Sequence, residues 1–212
     1  MKFRIPDSIP RAALITGGWQ QSAMAHALAD AGFSVALQCQ AGGEADLPAS
    51  AVPLPADLSD EAQTTALIAR ATTAIGPIGV LINAAVTLEP DAWNDTTRTT
   101  WDMHIETNLR APFVLIQRFA QALPPSREGV VINLLDQRIC PRLVSYTLSK
   151  AALWSLTQTM ALALAPAVRV NGISPVSGAS QDEIANAAIA ILALPSMTGQ
   201  MIVPDGAGGS AP

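Results

Sequence analysis

Tyr146 and Lys150 stand four residues apart in the run Ser145-Tyr146-Thr147-Leu148-Ser149-Lys150. On a helix that spacing puts two side chains on one face, one above the other. A phenol titrates near pH 10 in water, so alone it is a weak acid at neutral pH. A neighbouring ammonium favours the phenolate and lowers that value. Tyr146 would then serve as a general acid for a carbonyl or imine that receives a hydride. Lys150 could also hydrogen-bond a cofactor ribose. The same spacing is common on solvated helix faces, so the pair needs context.

A second stretch, Thr16-Gly17-Gly18-Trp19-Gln20-Gln21-Ser22-Ala23, follows the apolar run Ala12–Ile15. A dinucleotide phosphate needs small residues at such a place, because backbone N–H groups must approach it closely. Gly17 and Gly18 meet the start of that need. A tight strand-to-helix turn without a ligand would read the same way, and the residues alone leave both open.

The elements that would position these residues alternate. Ala12–Thr16 reads as a buried strand, Ser22–Gly32 as a helix and Phe33–Leu37 as a second strand. Ala51–Leu54 is a third strand, and Ser59 can cap a helix over Asp60–Ile75. Ile78–Asn83, Val130–Leu135, Val168–Ile173 and Gln200–Val203 read as further strands. Thr97–Leu123, Ser145–Ala165 and Gln181–Leu194 read as helices, the first two stopped by Pro124 and Pro166. Alternation of this kind predicts a parallel sheet covered on both faces. Only Gln38–Ser50 separates the second and third strands, the minimum for a crossover, with one helical turn or none.

Composition narrows the function. Half of the 212 residues are apolar and 14% are charged, which excludes a disordered chain. A net charge of -5 with no basic stripe argues against a nucleic-acid partner. Cys39, Cys140, His26 and His104 have no metal-ligand spacing and are too few for a disulfide framework. Met1–Pro6 lacks the apolar run of a signal peptide, and no run of about 18 apolar residues could span a membrane. A soluble, cytoplasmic protein, one domain over 1–212, is expected.

With the motifs in order, the chain resembles the short-chain dehydrogenase/reductase family. Ser145–Leu153 matches its active-site helix, and Arg169-Val170-Asn171-Gly172-Ile173-Ser174-Pro175 matches its sixth strand and the turn after it. The resemblance runs from Ala12 to Asp205. It implies a Rossmann-type α/β fold, doubly wound, with about seven strands in the order 3-2-1-4-5-6-7. It implies catalytic roles for Asn108, Asp136, Tyr146 and Lys150. It implies cofactor contacts from Thr16, Gly17, Gly18, Gln21, Ala23, Asp57, Asn83, Ala84, Ala85, Lys150 and Pro175. Asp136 stands where the family has serine, which resembles the pteridine-reductase branch. There the carboxylate and the tyrosine together manage protons on a pterin ring.

Several positions depart from the family. Gln21 and Ala23 replace glycines, and Val176 replaces the glycine after proline. The stretch from Asp136 to Tyr146 is shortened. Ser177–Ser180 leaves no room for a substrate-covering lid, which implies a wet site. Gln38-Cys39-Gln40-Ala41 offers neither an acid for an NAD ribose nor an arginine for an NADP phosphate. Two functions follow. One is an oxidoreductase using NADP or NAD to reduce a pterin-like or other small carbonyl substrate. The other is a catalytically degraded relative serving as a nucleotide-binding or oligomerisation module.

The helix over 145–165 carries Ala151, Ala152, Trp154, Leu156, Met160, Ala161 and Leu164, more apolar surface than one sheet face covers. In the family this helix and the one over 97–123 pair across a two-fold axis. A homodimer or homotetramer through these helices is expected. Sedimentation at micromolar concentration should return a multiple of the 22.0 kDa chain mass, and a monomer mass would refute it.

Overall fold

Short apolar strands joined by half-apolar helices bury both sets of surfaces only as a parallel sheet with helices on each side. The computed structural model describes residues 4–43, 49 and 51–206 and has this arrangement. In chain order the elements are β1 (Ala12–Ile15), α1 (Ser22–Asp30), β2 (Ser34–Cys39), β3 (Ala51–Pro55) and α2 (Glu61–Ile75). Then come β4 (Val80–Asn83), α3 (Arg98–Ile105), α4 (Ala111–Ala122), β5 (Gly129–Leu134), α5 (Val144–Leu164), β6 (Val168–Ile173), α6 (Gln181–Leu192) and β7 (Met201–Ile202). The sheet runs β3-β2-β1-β4-β5-β6-β7, all pairs parallel, in the expected order.

The period of two along β1 sorts the core. Ala13 and Ile15 face Met24, Leu28, Ile184 and Ile191 of α1 and α6. Ala12 and Leu14 face Leu67, Ile68, Leu115 and Phe119 of α2 and α4. The sheet edge beyond β2 is β3, whose Pro53 and Pro55 suit an edge strand that can spare N–H donors. Glu44–Pro48 and Ser50 of the crossover lie outside the described residues, and so does the question of a helical turn there.

Several element boundaries differ from the sequence reading, three of them with an identifiable physical cause. Asp60, not Ser59, caps α2, accepting from the Ala62 and Gln63 N–H groups. Ser59 is drawn away because its own N–H and hydroxyl bond Asp57 Oδ1 at 2.8 and 2.7 Å. The expected single helix over 97–123 is two helices joined by a π-turn, Glu106–Arg110. Such a turn skips a bond in the α ladder and leaves a backbone carbonyl free of it. Finally, β2 continues to Cys39, because Gln38 and Cys39 pair with Leu54 and Pro55.

Arg169 is buried on β6 and donates to the carbonyls of Ile191 (3.1 Å), Leu192 (3.2 Å) and Met197 (3.1 Å). It adds donors to two carbonyls at the end of α6, where helical donors run out, and to one in the segment after it. Among the described residues no helix is long and apolar enough to cross a membrane. No group of three or more His, Cys, Asp or Glu side chains there could hold a metal ion.

Arg169→Met keeps a long apolar stem but removes the guanidinium donor from all three carbonyls, of which Ile191 O keeps the Leu194 N–H and Met197 O keeps Asn171 Nδ2. It should lower stability by about 2–4 kcal/mol, read as a reduced denaturant midpoint at unchanged slope. An unchanged midpoint would show that the guanidinium contributes no net stability.

Candidate active site

Parallel strands that end together leave a crevice where the order reverses, here between β1 and β4. Thr16 holds that point closed from below. Its N–H donates to Ile82 O at 2.9 Å, and its hydroxyl oxygen accepts the N–H groups of Ala84 and Ala85, both at 3.0 Å. Gly17 follows at φ +114°, where a Cβ would sit 3.1 Å from the Ala84 backbone. Only glycine fits so close to a neighbouring chain in that conformation. A 3₁₀ turn over Gly18–Gln21 leads into α1, whose N-cap, Gln21, makes no side-chain capping bond.

A cleft of about 360 Å³ opens over this turn, lined in part by Gly17, Gly18, Gln20, Gln38, Asp57 and Ala85. Val86 also lines a second cleft of about 390 Å³, where Gln21, Ala84, Asp136, Tyr146, Lys150 and Pro175 gather. Glycines where a diphosphate would approach, an α1 without a side-chain cap and this two-part cleft fit a dinucleotide.

Most of the expected site residues therefore converge, but four do not line the cleft. Thr16 and Asn83 lie beneath it, Thr16 as the clamp just described. Asn83 donates to Asn133 Oδ1 at 2.8 Å between β4 and β5. Ala23 sits on the far side of α1, in a depression shared with Asp182 and Ala185 of α6. Asn108 is fully buried in the π-turn. Its Oδ1 accepts the Thr87 N–H at 2.9 Å, and its Nδ2 donates to Thr87 O at 2.9 Å and Ser149 Oγ at 3.1 Å. Those bonds occupy the amide, so its side chain braces the site from behind.

Two residues were not foreseen as site residues. Gln38 Oε1 accepts the Gly17 N–H at 3.0 Å, and its Nε2 donates to Ala56 O at 2.8 Å. The side chain bridges the glycine turn to the end of β3 and forms part of the cleft wall. Arg138 grips Asp136, with Nε 3.0 Å from both carboxylate oxygens and Nη2 2.6 Å from Oδ2. Its own N–H donates to Asp136 Oδ1 at 2.9 Å, a local turn that Asp-x-Arg spacing permits without announcing.

The Tyr146 hydroxyl donates to Asp136 Oδ2 at 2.8 Å. The shortened stretch between them thus still lets acid and phenol meet. Burial would raise the Asp136 carboxyl, but the Arg138 guanidinium and N–H and the Tyr146 hydroxyl hold it below the usual carboxylate range. The expected lowering of the tyrosine by Lys150 is not found. Burial first, then the bond to Asp136 and its charge, push the phenol above its ordinary value, and Arg138 offsets this only in part. Lys150 donates to Leu134 O at 2.9 Å, and burial lowers its ammonium to about 8. Residues 174–180 run from β6 to α6 with no helix between, and Pro175, Val176 and Ser177 line the wall of the second cleft.

A family model described as short chain dehydrogenase matches residues 11–184. The inactive 2-(S)-hydroxypropyl-CoM dehydrogenase 2 of Xanthobacter autotrophicus is 30% identical over 168 residues, 75% of this chain and 73% of that protein. Carbonyl reductase [NADPH] 2 of Sus scrofa is 30% identical over 58% of this chain and 51% of that enzyme, so the match spans about half its length. Among solved structures, FolM alternative dihydrofolate reductase 1 from Brucella canis, complexed with NADP, superposes with a TM-score of 0.87. It is 32% identical, over 97% of this chain and 95% of that one.

Tyr146 is the one tyrosine of the chain, so phenolate absorbance reports on it alone. The wild-type protein should show no phenolate step around pH 10, where free tyrosine ionises. Asp136→Asn removes the charge that holds the phenol neutral and should bring the step to lower pH. A wild-type step at the free-tyrosine value would contradict the geometry.

Proposed function

This chain belongs to the short chain dehydrogenase family, and from that we propose that it is an NADP(H)- or NAD(H)-dependent reductase in which Tyr146 delivers the proton. The substrate is a pterin-like or other small carbonyl or imine compound. The observation that carries this reading is the gathering of Tyr146, Lys150 and Asp136 in one cleft that adjoins the glycine turn. The likeness to a dihydrofolate-reducing protein with NADP bound supports it.

A reduced nicotinamide bound there would supply the hydride. Tyr146 supplies the proton to the oxygen or nitrogen that receives it. Its hydroxyl must first turn away from Asp136, and a substrate N–H beside the accepting atom can take over that bond. A pterin-like ring has such an N–H, whereas a simple ketone has none. Solvent enters past residues 174–180 and restores the phenol. Lys150 holds positive charge near the developing phenolate and would hydrogen-bond the ribose.

At the adenosine end, Gln20, Gln38, Cys39 and Gln40 are neutral, and no cation lines this part of the cleft among the described residues. Gln38 spends its amide on the fold. Discrimination between the two nucleotides should be weak, with dissociation constants for NADPH and NADH within about tenfold, or about 1.4 kcal/mol. The NADP complex of the Brucella protein favours NADP(H) of the two.

The subunits would pair through α3, α4 and α5, where Leu162 (85% exposed), Leu148 and Trp101 leave apolar surface open. A second reading, a nucleotide-binding or oligomerisation module without turnover, is favoured by one observation. The phenol is already committed to a carboxylate that Arg138 holds in place.

Rates with pterins, quinones and small ketones separate the two readings. Tyr146→Phe should reduce turnover by about 10²–10⁴-fold with nucleotide binding little changed. Asp136→Asn should hurt nearly as much with a pterin and less with a ketone. Equal rates for wild type and Tyr146→Phe across the panel would leave the module reading in place.

A further inference from the structure

Behind the cleft lies a polar cluster that the proposed chemistry does not use. His104 on α3 and Ser145 on α5 are fully buried, and Asp91, between β4 and α3, is 4% exposed. The direction of each bond can be worked out. The Glu89 N–H donates to His104 Nε2 at 2.9 Å, so Nε2 carries no proton. A neutral ring then holds its proton on Nδ1, 2.6 Å from Ser145 Oγ. The Ser145 hydroxyl donates in turn to Asp91 Oδ2 at 2.5 Å. Asp91 also accepts the Ser145 N–H at 3.1 Å and the Thr96 hydroxyl at 3.3 Å. One-way donation runs from the backbone of Glu89 through the ring and the serine to the carboxylate.

The cluster is one rung of a pair. Four residues on along both helices, Asn108 meets Ser149, and Ser149 donates back to Tyr146 O at 2.7 Å. Tyr146 follows Ser145 directly and lies between the rungs. The His104 ring stands edge-on to the Tyr146 ring at 6.0 Å.

We infer that His104 is a positioning residue for Tyr146: its neutral ring clasps the start of α5, and protonation opens the clasp. The positioning role rests on the reading of Tyr146 as the proton donor. A second proton on Nε2 would point at the Glu89 N–H, donor against donor. Turning the ring over does not help, since both nitrogens would then be donors. Relief requires the Glu89–Asp91 segment to move, and Asp91 takes with it the carboxylate that caps α5.

The groups facing the ring are Asp91 and Glu89 from the segment before α3 and neutral Tyr146 from α5. Burial lowers the imidazole below its usual 6.5, and the two carboxylates oppose this without cancelling it. The open form, with the ring in water, therefore binds the proton more tightly than the closed one. The clasp is fully stable above pH 6.5 and loses stability as pH falls from there towards the lower value of the closed state.

The single tyrosine makes this directly observable. With ring-labelled tyrosine, wild-type Tyr146 should shift in one step below pH 6.5, under the range of Lys150 at about 8, and the histidine variants tell this step from any due to Asp136. The step should vanish in His104→Gln, whose amide oxygen can still accept from Glu89 but cannot titrate. It should persist in His26→Gln, the control for the other histidine. Should His104→Gln fail to fold, Ser145→Ala cuts the chain instead, and its Tyr146 signal at neutral pH should resemble the acid form of the wild type. In turnover, Ser145→Ala should lower kcat by about 10–10²-fold with KM little changed, the loss expected of a misplaced acid. No step in the wild type, or a step that survives His104→Gln, overturns the clasp. The expected step with no turnover on any substrate upholds the clasp and sinks the enzyme reading instead.

Discussion

Helix α5 carries Tyr146 and Lys150 in its first two turns, yet it starts without a cap of its own. Leu143 stands at the N-cap and offers no side-chain acceptor. The free N–H groups of a helix start must find partners elsewhere. Asp91 reaches across from 54 positions earlier to accept the Ser145 N–H. A carboxylate at this positive helix end is favoured by the dipole as well as by the bond. Backbone bonds tie the same places together, Asp91 N–H to Arg142 O and Val144 N–H to Asp91 O, both at 3.0 Å. The reactive tyrosine is thus located by the segment after β4 as much as by its own helix. That segment is located in turn by Thr16, which binds the start of it to the glycine turn. The glycine turn and Tyr146 share one chain of contacts.

Within that frame the chemistry is decided by a competition. One phenolic hydrogen can go to Asp136 or to a substrate, not to both. In this structure it goes to Asp136, and Arg138 keeps the carboxylate charged and fixed. A carboxylate in that place raises the barrier to using the phenol as an acid. It also selects ligands able to satisfy the carboxylate with a donor of their own. The Arg138 side chain is 66% exposed, so its grip on Asp136 faces water and is weaker than a buried pair would be. On the proposed reading, the arrangement that would slow a simple ketone would favour a ring that brings its own N–H.

The fold was largely legible in the sequence, and the reason is periodicity. Runs such as Val168–Ile173 have one meaning when a helix pattern follows, and β6 occupies those residues. The start of α2 was misplaced by one residue because Ser59 and Asp60 are both good caps. Only the three-dimensional course of the chain shows that Asp57 claims the serine. The π-turn at Glu106–Arg110 has no local sequence signature, since it follows from fitting Asn108 between Thr87 and Ser149. At the site, Tyr146 and Lys150 were found by type and spacing, and Asp136 only through the family resemblance. The direction of the tyrosine shift was not, because it depends on which charge the hydroxyl touches. Lys150 is four residues away in sequence, but Asp136 holds the bond. Gln38 and His104 escaped notice as site residues because neither belongs to a spacing pattern; Gln38 bonds distant backbone groups, and His104 a backbone N–H and the Ser145 hydroxyl of another helix.

Gln38 shows how a bracing role constrains recognition. A side chain at the end of β2 can read the ribose of a bound nucleotide only if its polar atoms are free to face it. Here both amide atoms are spent on Gly17 and Ala56, which holds the glycine turn against the end of β3. The turn gains rigidity, and a rigid ring of backbone donors suits a diphosphate, which every nicotinamide dinucleotide carries. What is lost is a test of the ribose. With no lid over residues 174–180 to add contacts at the other end, binding must draw mostly on the turn common to all such ligands. On the proposed reading, a site built this way would recognise the class of cofactor through the turn and not its members through the ribose, and choice of substrate would fall to the Asp136–Arg138 pair beside Tyr146.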